Sequence, residues 1–267
     1  MFKDITLGQY YPTDSILHKL DPRVKFIGTI AFIIALFLIK GPVGYGLATV
    51  VLVTLIRLSK VPFKFMVRGM KAIAVILVIT MLFNMFLTPG EKLFSIWILT
   101  VTREGVETAV KMAVRLIYLV IGSSLMTLTT TPNQLTDGME ALFAPLKKVH
   151  VPVHEISMMM SIALRFIPIL MEETDKIMKA QIARGADFES GNFISRIKSM
   201  VPLLVPLFVS AFRRANDLAM AMEARCYHGG EGRTQMKPLI YAGRDRIAYG
   251  LILLFFAVCV AFAFLGL

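Results

Sequence analysis

Apolar residues cluster along the chain in five stretches that are long enough to form membrane-crossing helices. The stretches lie at residues 24–40, 43–57, 72–89, 109–129 and 247–266. A crossing takes about 20 residues of helix, whereas the first two stretches have uninterrupted apolar cores of only 14 residues. These two are predicted either as short spans or as one re-entrant hairpin around residues 40–46. The pattern predicts an all-α protein with about five transmembrane helices.

The composition is typical of an integral membrane protein. Hydrophobic residues make up 56% of the chain, the mean hydropathy is +0.69 and the formal net charge is +11. A soluble domain of this size needs more charged side chains to cover its surface. The N-terminal residues lack a short apolar core followed by a small-residue cleavage site, so no cleaved signal peptide is expected. Cys226 and Cys259 match no metal or redox spacing.

Basic residues predict the orientation, because loops rich in lysine and arginine remain on the cytoplasmic side. Four basic residues lie before or at the start of the first span, five lie from the end of the second span to the start of the third, and fifteen follow the fourth. A cytoplasmic N-terminus therefore places 24 of the 29 basic residues inside. We expect a multi-pass protein of the cell membrane with its C-terminus outside after five spans.

Residues 130–245 are too long for a loop without structure of its own and too apolar for an ordinary soluble domain. Apolar positions recur with helical spacing from Ile156 to Met178 and from Leu204 to Met222. A shorter helix is expected to begin at Thr131-Pro132. The chain therefore divides into residues 1–129 with four spans, residues 130–245 with two or three long amphipathic helices, and residues 246–267 with the last span.

The long helices are not predicted as spans. A helix over residues 153–185 would measure about 50 Å, which exceeds the thickness of the membrane core. Charged pairs four residues apart mark the polar faces: Glu172 with Lys176, Asp175 with Lys179, and Arg213 with Asp217. We expect these helices at the cytoplasmic face of the membrane, with apolar faces that need a partner from outside this chain.

Both long helices are predicted to end at an Ala-Arg pair, Ala183-Arg184 and Ala224-Arg225. Each arginine follows an apolar position of its own helix by seven residues, so it lies within about 20° of the apolar face. Such an arginine can lay its stem on an apolar groove and present a planar head to a carboxylate. The two ends are therefore interpreted as two similar docking elements, or plugs, each of which inserts its arginine into an acidic site, or socket, of a partner protein. Alternatively, each arginine caps the last carbonyls of its own helix.

Taken together, these features resemble a known family. The motif "SILHKLDPRVKF" (residues 15–26) precedes short spans, and a methionine-rich segment carries Ala183-Arg184-Gly185 and Ala224-Arg225-Cys226. This combination resembles the transmembrane T component of energy-coupling factor transporters over essentially the whole chain. The second motif departs from the family pattern, which has glycine where Cys226 stands. The departure concerns the termination of the helix rather than the charged contact.

The resemblance implies a complex of four proteins. Two cytoplasmic ABC-type ATPases would each receive one Ala-Arg helix end, and a membrane S component would capture a vitamin or similar micronutrient. This chain would transmit the ATPase movement to the S component without binding nucleotide or substrate. The resemblance implies no cofactor, no metal, no catalytic residue and no nucleic-acid partner for this chain. The residues Asp21, Pro22 and Arg23 form the structural motif that opens the first span.

Methionines are concentrated in the cytoplasmic segment. The predicted contact with the S component consists of Met158, Met159, Met160, Ile167 and Met171. Methionine is unbranched and adapts to varied shapes, which suits a surface that must re-pack against different partners. The alternative for each methionine is ordinary filling of a core.

Two other function classes fit the sequence less well. The sequence has no phosphate-binding loop, no G-x-S-x-G and no H-E-x-x-H motif. A membrane-embedded enzyme would need a cluster of catalytic polar residues, and the polar candidates are scattered. A secondary transporter usually shows internal repeats of spans, and five unequal spans show no such symmetry.

Five polar residues are isolated candidates for a site. His150 and His154 have a spacing that could hold a metal on a helix, but Pro152 lies between them. His18 is assigned to the turn before Asp21, which is expected to cap the first span. Arg115, inside the fourth span, is interpreted as a structural ion pair rather than an anion site. Its expected partners are Glu107, Glu104 and Tyr118. Asn84, in the third span, stays ambiguous.

Overall fold

The computed structural model describes residues 10–39, 41–96, 99–186, 188, 193–230, 236 and 238–265. Within these ranges the chain forms eight α-helices and one antiparallel β-hairpin, so the predicted all-α class is confirmed. The helices are α1 (Pro22–Leu38), α2 (Pro42–Ser59), α3 (Phe63–Leu87), α4 (Arg103–Thr129), α5 (Pro132–Phe143), α6 (Val153–Ala183), α7 (Phe193–Glu223) and α8 (Gly243–Leu265). The hairpin strands are β1 (Lys92–Ile96) and β2 (Leu99–Thr102), and a 3₁₀ helix, Ala144–Val149, precedes α6.

Each of the five predicted spans coincides with one helix, namely α1, α2, α3, α4 or α8. By length and hydropathy, the described helices that could cross a membrane are α2, α4, α6 and α8. α1 has only 17 residues, and the apolar part of α3 is Ile73–Leu87. α6 therefore differs from expectation, because its apolar centre is long enough for a crossing.

Two helices begin where the sequence predicts. The Asp21 carboxylate accepts a hydrogen bond from the backbone N–H of Arg23 at 2.9 Å, and Pro22 occupies the first turn of α1. At the start of α5, the Thr131 hydroxyl accepts from the backbone N–H of Gln134, whose side-chain oxygen accepts from the Thr131 N–H. This reciprocal pair satisfies two backbone donors that a helix start otherwise leaves unpaired.

Backbone contacts divide the chain into two units. One is Gly8–Gly138 with Leu239–Leu267, and the other is Met139–Pro238. In the first unit, α4 packs against α1, α2 and α3, while α8 packs against α1. A Cβ at Gly122 would lie 2.8 Å from the ring of Phe32, so this glycine lets α1 and α4 approach closely.

Large apolar side chains also cover the outside of the first unit. On α3 the exposed ones include Val75, Ile76, Ile79, Leu82 and Phe83. Apolar surface in water is unfavourable roughly in proportion to its area, whereas the hydrocarbon of a bilayer imposes no such cost. The exposed face of α3 is therefore suited to contact with lipid.

A buried carboxylate ties the start of α8 to the start of α1. Asp245 is 2% exposed and accepts hydrogen bonds from the backbone N–H groups of Asp21 at 3.0 Å and Ala242 at 2.7 Å. The Arg23 guanidinium donates to the Asp21 carboxylate at 2.8 Å and lies over the ring of Tyr241 at 3.8 Å. Burial raises the pKa of Asp21, but the hydrogen bonds from Arg23 outweigh it and hold that pKa below its ordinary value. The carboxylate therefore stays ionised at neutral pH.

We expect Asp245→Ala to destabilise the first unit, because it leaves two backbone donors without acceptors. Each such loss costs about 1–3 kcal/mol, so thermal unfolding in detergent should begin several degrees earlier. Asp14→Ala is the matched control, since the Asp14 side chain is 94% exposed. Equal unfolding midpoints for the two variants would contradict the assigned role of Asp245.

Candidate functional site

In the second unit, α6 packs antiparallel against α7. The Ser210 hydroxyl on α7 donates to the Glu173 carboxylate on α6 at 2.5 Å. Eight residues later on α6, the Gln181 amide donates at 3.2 Å to the carbonyl of Pro202, eight residues earlier on α7. Residues later in α6 therefore contact residues earlier in α7, which means that the two helices run in opposite directions. The C-terminal ends of α6 and α7 consequently lie at opposite ends of the helix pair.

An apolar groove of about 290 Å³ runs between these helices. It is lined by Ile162, Phe166 and Leu170 of α6 and by Ala211, Arg214, Ala215, Leu218, Ala219 and Met222 of α7. The expectation that both apolar faces need a partner from outside this chain is therefore wrong in part, because each helix covers some of the other. Periodicity along one helix cannot show this, since it gives a face but not its partner.

The end of α6 forms a Schellman motif. The Gly185 N–H donates to the carbonyl of Ile182 at 2.9 Å, and the Ala186 N–H donates to that of Gln181 at 3.0 Å. Gly185 adopts the left-handed conformation with φ +89°, and nothing lies within 4 Å of the position that its Cβ would occupy. Backbone conformation rather than crowding thus favours glycine here.

The end of α7 repeats this geometry without a glycine. The Cys226 N–H donates to the carbonyl of Glu223 at 2.9 Å, and the Tyr227 N–H donates to that of Met222 at 3.1 Å. Cys226 takes the left-handed conformation with φ +56°, at a cost of about 1–2 kcal/mol for a residue with a Cβ. The departure from the family's glycine therefore leaves the geometry of the helix end unchanged.

Arg184 and Arg225 occupy equivalent positions directly before these left-handed residues. Both side chains are exposed, as are the preceding Ala183 and Ala224. Within the described part of the chain, neither guanidinium forms an ion pair or a hydrogen bond. The alternative in which each arginine caps its own helix is thus not the arrangement observed. Both heads are available for a charged group of another molecule.

The methionine-rich surface of α6 is partly exposed. Met159 is 58% exposed and Met160 is 46% exposed, whereas Met158, Ile167 and Met171 are half-buried. Met160, Ile167 and Met171 recur at intervals of seven and four residues and share one face. That face is rotated by about 100° around the helix axis from Ile162, Phe166 and Leu170, which line the groove against α7. Packing of α6 on α7 therefore does not use it.

One ion pair that joins the two long helices was missed by the sequence analysis. The Arg214 guanidinium donates to one Glu173 oxygen from NH2 at 2.8 Å and from Nε at 3.2 Å, while Ser210 donates to the other oxygen. The sequence predicts only pairs four residues apart on one helix. Glu173 and Arg214 are 41 residues apart, so no local spacing could have shown that they meet.

The sequence predicts that Arg115 pairs with Glu107, Glu104 or Tyr118, and this prediction is wrong. The Arg115 guanidinium instead donates to the Tyr45 hydroxyl at 3.2 Å and to the carbonyl of Ile39 at 3.3 Å. Glu107 binds Lys111 at 2.6 Å, one turn further along α4. Arg115 thus joins α4 to the end of α1 and to α2, in a structural role that depends on how the three helices pack.

Two of the four histidines, His154 and His18, have bonding partners within the protein. The Nδ1 atom of His154 lies 2.8 Å from the Glu140 carboxylate, which also accepts from the Ser157 hydroxyl at 2.7 Å. The Nε2 atom of His18 lies 3.0 Å from the carbonyl of Tyr11, in the predicted turn before Asp21. Within the ranges that the structure describes, no three His, Cys, Asp or Glu side chains form a group that could hold a metal ion.

Comparison with known proteins identifies close relatives. The CbiQ family, described as cobalt transport protein, matches residues 13–236. The energy-coupling factor transporter transmembrane protein EcfT of Clostridium kluyveri is 56% identical over 250 residues, which are 93% of each chain. The EcfT proteins of Bacillus subtilis and Bacillus selenitireducens are 48% and 43% identical; the first alignment covers 92% of this chain and 93% of the relative, and the second covers all of both.

The two helix ends predict opposite effects for a pair of reciprocal substitutions. Cys226→Gly should stabilise α7 by about 1 kcal/mol, because it removes a Cβ from a left-handed residue, and Gly185→Cys should destabilise α6 by a similar amount. Thermal unfolding in detergent measures both effects. Shifts of the same sign would show that the two ends do not share one backbone requirement.

Proposed function

The chain belongs to the EcfT (CbiQ) family of energy-coupling factor transporter transmembrane proteins, and from this premise we propose that it couples two ATPases to a substrate-binding subunit. The two ATPases are cytoplasmic and ABC-type, and each receives one Ala-Arg helix end. The substrate-binding subunit is a membrane S component for a vitamin or similar micronutrient. This chain transmits the ATP-driven movement and performs no catalysis.

The observation that carries the proposal is the equivalence of the two helix ends. Arg184 and Arg225 lie one and two residues after the last residues of α6 and α7, each directly precedes a left-handed residue, and both are exposed without a partner among the described residues. Because α6 and α7 are antiparallel, the arginines lie at opposite ends of the pair. Two similar, separated plugs fit two similar subunits better than they fit a single binding site. An exposed guanidinium is suited to a bidentate bond with a carboxylate.

The charge distribution supports a cytoplasmic position for α6 and α7. Fifteen of the 29 basic residues follow the fourth span and precede the last one, which favours the cytoplasmic side for this segment. The centre of α6 is long and apolar enough for a crossing. However, the ion pair that Glu173 of α6 forms with Arg214 of α7 favours a position along the membrane surface. With α6 and α7 on the cytoplasmic side, the N-terminus is cytoplasmic and the C-terminus, after five spans, is extracellular.

We expect charge reversal at the helix ends to release the ATPases. Arg184→Glu or Arg225→Glu should reduce co-purification of both ATPases and ATP-driven uptake, and the double variant should abolish both, because a carboxylate cannot pair with an acidic socket. Arg165→Glu is the matched control, since Arg165 is also an exposed arginine of α6. Normal uptake and intact co-purification in the double variant would refute the proposal.

The S component is proposed to contact α6 at Met160, Ile167 and Met171, which share one face, and at Met158 and Met159, which lie on other sides of the same turn as Met160. Single cysteines at these positions should cross-link to the S component in the assembled complex, and the yield should change when ATP is added. A cysteine at exposed Lys179 serves as the control on the charged side of the same helix. Cross-links from the methionine face to lipid or to the ATPases alone would contradict this contact.

A further inference from the structure

The ion pair between Glu173 and Arg214 lies at the same number of residues from each of the two Ala-Arg ends. Glu173 precedes Arg184 by eleven residues, and Arg214 precedes Arg225 by eleven residues. Eleven residues of helix rise by about 16 Å and turn by three full turns plus about 20°. Each arginine therefore lies about the same distance from the ion pair, on nearly the same side of its helix as the pairing residue.

The helical arms between the ion pair and the arginines are free of proline. Pro168 precedes Glu173, and both Pro202 and Pro206 precede Arg214. Proline removes a backbone hydrogen bond and permits a bend, so bending is confined to the parts of α6 and α7 that lie before the ion pair. Beyond it, each arm is a continuous helix as far as Ala183 or Glu223.

Besides the ion pair and Ser210, a hydrogen bond in an exposed position joins the described parts of α6 and α7: the Gln181 amide donates to the Pro202 carbonyl at 3.2 Å. Away from the ion pair, the groove is lined by apolar side chains, including the small Ala211, Ala215 and Ala219. Apolar burial is non-directional, so the apolar part of the groove specifies the register less sharply than hydrogen bonds do. The Arg214 guanidinium holds one Glu173 oxygen through two nitrogen atoms, and such directional bonds narrow the range of relative positions that the two helices can adopt. The Ser210 hydroxyl on the second oxygen adds a further geometric condition.

The contribution of this pair to stability is expected to be small. The side chains of Arg214 and Glu173 are 41% and 23% exposed, and ion pairs that are open to solvent contribute little to stability, because water screens their charges. The ion pair therefore matters more for the relative position of α6 and α7 than for the stability of the protein. A contact of this kind positions two elements without making them rigid.

We propose that Glu173, Arg214 and Ser210 form a pivot that fixes the separation of Arg184 and Arg225, so that both arginines reach their sockets at once. This inference rests on the proposed function, because the separation matters only if two ATPases are bound. The three residues are positioning residues, since they act on the arginines through the helical arms. Movement of one ATPase would then be transmitted through the pivot to the other arm.

The test uses charge reversal and its reciprocal rescue in the complete complex. Glu173→Arg and Arg214→Glu should each lower ATP-driven uptake about tenfold at unchanged co-purification of the ATPases. The double exchange E173R/R214E should restore uptake, because it recreates the pair with its partners swapped. Glu172→Arg and Arg213→Glu are the matched controls, since they make the same charge changes at exposed neighbouring positions. Glu173→Gln removes the charge without adding one and covers the case in which E173R does not accumulate in the membrane.

A distance measurement provides the second readout. Spin labels at Lys179→Cys and Met220→Cys lie on the two arms, each five residues before an arginine, in a background where the exposed Cys226 is changed to serine. The unmodified pair and the double exchange should give the same narrow distance distribution. The single reversals should shift or broaden it by about 5 Å, one turn of helix.

Two results would overturn the pivot. One is wild-type uptake and distance in both single reversals, and the other is failure of the double exchange to restore either quantity. The Arg184→Glu, Arg225→Glu double variant separates this failure from failure of the proposed function. If that variant keeps both ATPases, the proposed function fails; if it loses them while the pivot variants keep the wild-type distance, only the pivot fails.

Discussion

The antiparallel packing of α6 against α7 is the constraint on which the proposed function depends. Two helices of 31 residues each that ran in parallel would present both Ala-Arg ends at one place. Antiparallel packing sends the two ends in opposite directions from a shared centre. One chain can thereby offer the same structural feature to two separate subunits.

The two helix ends also show how a backbone requirement can be met by different residues. Gly185 has the left-handed conformation at no steric cost, whereas Cys226 adopts it in spite of its Cβ. The hydrogen bonds that end the two helices are equivalent all the same. The helix therefore ends in the same way at the arginine before each left-handed residue, whether glycine or cysteine follows it.

The first unit provides the anchor. Its helices expose apolar side chains on the outside, while polar groups inside it bind one another, as Arg115 binds Tyr45 and Asp245 binds the backbone of Asp21. Each of these polar contacts joins helices that are distant along the chain. In an apolar environment a polar group without a partner is costly, so such contacts specify which helices lie side by side.

The amino-acid sequence determined the features that depend on neighbours within a few residues. Apolar stretches located the helices α1, α2, α3, α4 and α8. Asp21-Pro22 located the start of α1, Thr131 located the start of α5, and the Ala-Arg pairs located the ends of α6 and α7. Helical periodicity and capping act over one or two turns, which is why a single sequence suffices to read them. The length of α6 was read correctly as well, although its apolar centre is equally compatible with a span.

The contacts between residues that are distant along the chain were decided only by the tertiary structure. Neither the partners of Arg115 nor the pairing of Glu173 with Arg214 follows from any local spacing. Spacing along the chain indicates the wrong partners for Arg115 and gives no sign that Glu173 and Arg214 meet. Periodicity shows which face of a helix is apolar, but it carries no information about which helix covers that face or in which direction it runs. Those choices depend on packing between elements that are tens of residues apart.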